Sequence, residues 1–377
     1  GAPLARYVAA SAYKAGARLV DGVYVDEQIL LQRFKYAPRD SFEEYPVWRP
    51  ELLRETFANG DALLAIHADD PDLLKGQDDN LVGTYFKTRM VNNRRYQDLL
   101  MVNASNWLVA AIPMPAWSAK VFPGLLPEEQ MEKLWEAVAY ACRLNEDNPV
   151  AVWKEHDRQL HARREILTRK QYSALNFRGP GTDLTVGLPE GHVWMGGHST
   201  SANGIDFIPN LPTEEVFTLP HRDRVDGIVR ASLPLSHEGA LIENFQLTFK
   251  DGQVVDFHAE NGEGFLRKII ESDEGARRLG EVALVPQSSP VASSGLMFFN
   301  TLYDENAASH LAFGRAYKFT MQGGEQLNDE EFSARGGNYS IAHVDFMIGS
   351  TQMDLDGILP NGQTEPLMRS GEWTFAV

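Results

Sequence analysis

A long charged helical pattern at residues 149–170 divides this sequence into two stretches of different texture. Before it, helix and strand signals alternate. Pro3 sits in the first turn of a helical pattern that closes at Gly16. Residues 18–25 (R-L-V-D-G-V-Y-V) read as a strand, 26–37 as a helix, 50–58 as a short helix and 62–68 (A-L-L-A-I-H-A) as a buried strand. Residues 81–101 read as a helix, 107–112 as a strand and 127–144 as an amphipathic helix. Strands separated by helices of this size imply a mostly parallel sheet with helices on its faces.

Beyond the charged helix the punctuation is that of hairpins. Gly179-Pro180-Gly181 separates two strand-like runs, and Phe245, Leu247 and Phe249 alternate before Asp251-Gly252 turns the chain. Residues 264–279 read as the one long helix of this region, closed by Gly280. The predicted architecture is an α/β N-terminal domain with a mostly parallel sheet over 1–168, followed by a strand-rich α+β domain over 169–377.

Charge and cysteine usage narrow the function classes. The chain carries 35 basic and 52 acidic residues, a net charge of −17. That excess repels phosphate backbones and anionic lipid, which argues against a nucleic-acid or membrane-surface role. Cys142 is the single cysteine, so no intramolecular disulfide and no multi-cysteine zinc or iron–sulfur site can form. A long chain without disulfides fits a reducing compartment. The most apolar stretch, 107–117, is interrupted by Pro113 and Pro115 and falls short of the ~18 residues of a membrane span. The sequence opens Gly-Ala-Pro and lacks the layout of a signal peptide, so its start reads as a truncation and not as a targeting segment.

Nine of the ten histidines lie at or after position 156, which directs the search for chemistry to the second region. The motifs H-E-x-x-H, G-x-S-x-G, G-x-x-x-x-G-K-[ST] and G-x-G-x-x-G are absent. What remains is a set of short acidic and histidine motifs. In A-H-V-D-F-M-I (342–348), His343 and Asp345 are two apart and share one face of a strand, with Val344, Phe346 and Ile348 on the other. P-T-E-E-V-F-T (212–218) sets Glu214 and Glu215 beside a β-prone run, one to face inward and one outward. Glu281 follows the glycine expected to close a helix and precedes the buried-looking V-A-L-V-P. Glu305 and His310 are five apart, about 140° on an ideal helix, so they meet only if the segment bends or one precedes the helix. Each motif alone fits a solvated surface. Together they are rich in carboxylate and imidazole, which suits one or two divalent ions such as zinc, cobalt or manganese. Clustered carboxylates also repel one another unless a cation lies between them.

At these motifs the sequence resembles the aminopeptidase T and aminopeptidase S family of dimetal exopeptidases, the thermophilic metalloproteases. The likeness is carried by P-T-E-E-V-F-T at 212–218, G-E-V-A-L-V-P at 280–286, Y-D-E-N-A-A-S-H-L-A-F-G-R-A-Y at 303–317, and G-N-Y-S leading into H-V-D-F-M-I-G-S at 337–350. The resemblance implies that Glu215, Glu281, Glu305, His310, His343 and Asp345 ligate two metal ions, with Glu214 the alternative within the paired glutamates. It places Tyr317 at the family's active-site tyrosine. It further implies a cytoplasmic homodimer whose site faces an enclosed cavity in the C-terminal domain, and an N-terminal domain that here lacks its first strand and helix.

The activity implied by the resemblance is removal of N-terminal residues from short peptides with a free N-terminus. Two ions sharing a water would bring its pKa towards neutrality, so that hydroxide attacks the scissile carbonyl. Glu215 or Glu281 would carry the proton to the leaving amine, and Tyr317 would donate to the tetrahedral intermediate. Two other readings remain at this level: a dimetal hydrolase of a non-peptide amide or ester, and a non-catalytic metal-binding dimer.

Overall fold

The computed structural model describes residues 1–237 and 240–377. Its N-terminal region holds a small parallel sheet, with Leu63–His67 beside Trp107–Ala111 and Asn210–Leu211 added at the far edge. That third strand comes from beyond the charged helix Pro149–Lys170, so the two regions are interleaved and not simply joined in series. Helix Asp79–Met101 connects the first two strands, and helices Pro115–Val121 and Pro127–Ala141 pack on the sheet through Trp117, Leu134 and Val138 against Ala111. The helix expected near 50–58 runs over Trp48–Ala58. No helix among the described residues is long and apolar enough to cross a membrane.

The C-terminal region packs an eight-stranded antiparallel sheet on a four-stranded one. Both expected hairpins form, Ala174–Gly179 with Thr182–Gly187 and Gln246–Lys250 with Gln253–His258. The second sheet runs in the spatial order His343–Met347, His310–Gly314, Leu279–Leu284, Val216–Thr218. Apart from a bulge at Gly280, its strands alternate. Val282, Leu284, Leu311, Phe313, Val344 and Phe346 join the main core with Leu175, Phe177, Leu184 and Val186 of the large sheet. The opposite face carries Glu281, Ala283, His310, Ala312, His343 and Asp345, because successive side chains of a strand point to opposite sides.

Two expectations fail. Residues 18–25 form no strand and lie exposed, with Leu19, Tyr24 and Val25 open to solvent. A β-prone run is a strand only when another strand offers its backbone groups, and none among the described residues does. The helix expected over 264–279 stops at Ile270. Beyond it Asp273 accepts from the Ser340 hydroxyl (2.8 Å) and from the amide of Ile341 (2.6 Å), while Asn338 donates to the Gly275 carbonyl (2.8 Å). These contacts with the 338–341 segment replace the helical ladder. Leu279 and Gly280 therefore belong to a strand, and Glu281 sits inside that strand, not at a helix cap.

A bulge at Gly280 decides where Glu281 points. Leu279 pairs with Phe313, yet Glu281 pairs with Ala312, so the register slips by one between them. Leu279 thereby faces the core, and Glu281 the other side. Gly280 lies so close to its neighbours that a Cβ would stand 2.3 Å from the Arg315 carbonyl oxygen and 2.4 Å from that of Gly314. Gly280→Ala should therefore lower stability by about 1–3 kcal/mol, the usual cost of overpacking. Thermal unfolding of the variant checks this, and an unchanged midpoint would remove the bulge from the account.

Candidate metal centre

The polar face of the four-stranded sheet closes one side of a cavity of about 140 Å³. Glu281, Ala312 and Asp345 stand in one row across three strands, with the small Ala312 between the two carboxylates. His310 lies further along the central strand and His343 at the start of the edge strand. Glu215 enters from the irregular stretch immediately before Val216–Thr218. Glu305 enters from a bend: the short helix Thr301–Asp304 passes into a tighter turn at Glu305–Ala307, and the strand begins at His310. The bend answers the spacing problem of Glu305 and His310, since neither lies on a continuous helix with the other.

Five of the six residues converge as two donor trios that share one carboxylate. Glu215, Glu281 and His310 form one, and Glu281, His343 and Asp345 the other. His310 Nε2 lies 3.1 Å from Glu215 Oε2 and 3.5 Å from Glu281 Oε1. His343 Nε2 lies 3.4 Å from Asp345 Oδ1 and 3.9 Å from Glu281 Oε2. Glu305 belongs to neither trio but lines the same cavity. The rest of the lining comes from elsewhere in the chain and mixes apolar Leu100, Met101, Trp107 and Met195 with polar Asn103 and Asn210.

Hydrogen bonding sets both imidazoles for ligation. His310 Nδ1–H donates to the Ala308 carbonyl (3.2 Å) and His343 Nδ1–H to the Arg315 carbonyl (2.8 Å). A carbonyl cannot donate, so Nδ1 carries a proton, and Nε2 is the nitrogen that faces the carboxylates and would ligate a metal once its own proton is displaced. Glu215 Oε2 and Asp345 Oδ1 are buried with no hydrogen-bond partner, although each is near an imidazole nitrogen. Close approach without hydrogen-bond geometry is the arrangement of atoms aimed at a common point. The donor set and its orphaned oxygens fit divalent cations.

The electrostatics without an ion describe what a cation would relieve. Burial pushes the Glu281 carboxyl up to about 7, with Glu215 and Asp345 adding to the rise against the opposing pull of His310 and His343. Glu305 is raised well above the ordinary range by burial and then by Asp345 and Glu215. Burial alone would lower both histidines. The carboxylates outweigh it, raising His310 well above its usual value and His343 to about 10. Asp345 is lowered because His343 overcomes the cost of burial. Tyr317, whose ring lies 5.0 Å from that of His343 and stacks on Phe319, is raised by burial and by Glu281, so its hydroxyl keeps its proton.

Glu214 turns away. It accepts two hydrogen bonds from Arg143, and its amide donates to Asn306 (2.6 Å). The adjacent glutamates in P-T-E-E suggest that only one faces the site, but nothing in the sequence points to Arg143 as the partner of the other. A third group, Asp157, His161 and His198, also meets the spacing for a metal. It differs from the trios: Asp157 accepts from the amide and from Nδ1 of His198, both at 2.7 Å, so its carboxylate is already satisfied. That contact fastens the loop bearing Gly196 and Gly197, which line the cavity, to the helix Pro149–Lys170.

Comparison with known proteins agrees across the chain. The sequence profile of the thermophilic metalloprotease family (M29) matches residues 1–373. Aminopeptidase 2 of Geobacillus stearothermophilus is 47% identical over 374 residues, covering 99% of this chain and 91% of that protein. Aminopeptidase T of Thermus aquaticus is 46% identical, covering 98% and 90%. The solved structure of wild-type AmpT from Thermus thermophilus superposes with a TM-score of 0.93 at 44% identity, over all of this chain and 92% of that one.

Because both imidazoles are held protonated in the ion-free site, metal must displace their protons. Metal uptake at pH 7 should release protons, and affinity should weaken as the pH falls from 8 to 6. Titration of the metal-free protein in weakly buffered solution measures both. Uptake without proton release, equally tight at both ends, would contradict ligation through these histidines.

Proposed function

The chain belongs to the thermophilic metalloprotease family (M29) and is a metal-dependent aminopeptidase, and from that premise we propose that it acts through a centre of two divalent ions. The observation that supports this reading is the pair of donor trios joined by Glu281. Glu215, Glu281 and His310 would hold one ion and Glu281, His343 and Asp345 the other, with Glu305 completing the set. Zinc, cobalt and manganese all suit such oxygen and imidazole donors. Ions bound there would lower the pKa of a shared water and polarise the scissile carbonyl.

The chain's own groups supply the rest. Glu215 and Glu281 border the cavity and are the carboxylates proposed to move a proton from the water to the leaving amine. Tyr317 keeps its hydroxyl proton and so can donate to an oxygen that becomes negative. Its ring is fixed by Phe319 at 5.1 Å and Phe217 at 6.0 Å, which leaves the hydroxyl little freedom to wander. The free α-amine of a peptide is the group proposed to be read there, by one of the ions or by a nearby carboxylate. Small peptides fit a confined cavity better than folded chains. The family likeness and the single cysteine support a homodimer working in the cytoplasm.

Two measurements test this reading. Tyr317→Phe keeps the ring and removes the hydroxyl, so kcat should fall by about 10²–10³, the typical cost of one oxyanion donor, with metal content unchanged. An unaltered kcat would make Tyr317 a packing residue. A short peptide and its N-acetylated twin should differ at least about a hundredfold in kcat/KM, since acetylation removes the amine's charge and leaves the groups that read it unpaired. Equal values would transfer the assignment to a general hydrolase of amides or esters.

A further inference from the structure

Glu215 lies in the irregular stretch 212–215, before the ladder of Val216–Thr218 begins. A ligand on unpaired backbone must be located by something other than the sheet. The residue before it does this. The Glu214 carboxylate, 2% exposed, receives both terminal nitrogens of Arg143, with the Oε2 contact at 2.8 Å. Arg143 follows the helix Pro127–Ala141 of the N-terminal region and holds a left-handed backbone conformation (φ 55°). Its guanidinium lies over the Trp153 ring at 5.3 Å and donates to His156 Nδ1 at 3.4 Å. His156 Nε2–H in turn donates to the Thr213 carbonyl at 2.8 Å. The two residues that precede Glu215 are thus both tied to the first region, Thr213 through His156 and Glu214 through Arg143.

The same residue reaches a second proposed ligand. The Glu214 amide donates to Asn306 Oδ1 at 2.6 Å, Asn306 directly follows Glu305, and Asn306 Nδ2 donates to the Leu302 carbonyl at 2.9 Å. Glu215 and Glu305 are thereby neighbours of two residues bonded to each other. We propose that Glu214 and Arg143 are positioning residues of the metal centre, acting through Glu215 directly and through Asn306 on Glu305. This rests on the two-ion reading above. The Arg143 fork matches a carboxylate geometrically as well as electrically, so it can set the place and angle of Glu214 and hence of the next residue.

The experiment is metal titration of the full chain after chelation, with cobalt(II) as probe, read by calorimetry and by visible absorption. Wild type should show two binding steps, and the step lost in Glu215→Gln identifies the ion that trio holds. Fewer than two steps in wild type would overturn the two-ion reading itself, and with it the present inference. With two steps in wild type, Glu214→Gln should weaken the Glu215-dependent step by about 10–100-fold, the usual effect of disturbing groups behind metal ligands, and alter its absorption bands. The step that survives Glu215→Gln should be weakened less. Arg143→Lys retains the charge, and so the fold, but loses the paired geometry. It should give the same selective loss to a smaller degree, and it stands in if Glu214→Gln does not fold. Unchanged affinities, or equal weakening of both steps in proportion to a lowered melting temperature, would overturn the proposal and leave the pair a stabiliser of the fold.

Discussion

Four carboxylates and two imidazoles gathered at one buried cavity need protons or cations to offset their charge. The carboxylates' mutual repulsion is visible in the raised Glu281 and Glu305 carboxyls, and their attraction for a proton in the raised His343. Like charges brought within a few ångströms in a water-poor setting oppose folding unless protons or metal ions neutralise them. The surrounding structure is arranged to sustain that opposition. The four-stranded sheet offers a rigid floor whose other face is anchored in the main core by Leu311, Phe313, Val344 and Phe346. A floor so anchored can hold charged side chains in fixed positions, which is what a preorganised metal centre requires.

The floor alone does not make the site. Glu215 and Glu305 come from segments outside the ladder, and each depends on packing between the two regions of the chain. Phe298 and Tyr303, which flank the bend leading to Glu305, pack with Trp117, Leu134 and Val138 of the N-terminal region in one buried cluster. Asp304 secures the same bend by accepting from the amides of Phe298 (2.8 Å) and Asn300 (2.9 Å). Arg143 and His156 act likewise on the segment before Glu215. The N-terminal region also supplies Leu100, Met101, Asn103 and Trp107 to the cavity lining. Separation of the two regions would therefore open the cavity and release two of its carboxylates together.

The orphaned oxygens of the trios and the satisfied Asp157 separate the proposed metal centre from a structural cluster. Both contain carboxylate and histidine at similar spacing. In one, donors meet acceptors and nothing is lacking. In the other, oxygen faces nitrogen without a hydrogen bond on Glu215 and Asp345. Spacing is common to many surfaces, whereas unsatisfied buried acceptors are rare and call for a partner.

Much of this was legible in the sequence. Alternation places His343 and Asp345 on one strand face and Val344 and Phe346 on the other, because a two-residue period holds in any strand. The hairpins at 179–182 and 250–253 and the charged helix Pro149–Lys170 follow from local turn chemistry and periodicity. Other features had no local signal. The run at 18–25 has strand-like residues but no partner, and the helix after Gly264 yields to contacts from the distant 338–341 segment. Glu281 looks like a residue at a helix end until the bulge at Gly280, demanded by carbonyl oxygens of the neighbouring strand's end, turns it to the cavity. Residue types and short-range period determined which side chains can bind metal. Only tertiary structure decided that they meet, since pairing register, a one-residue slip and a clamp from Arg143 join positions far apart in the chain.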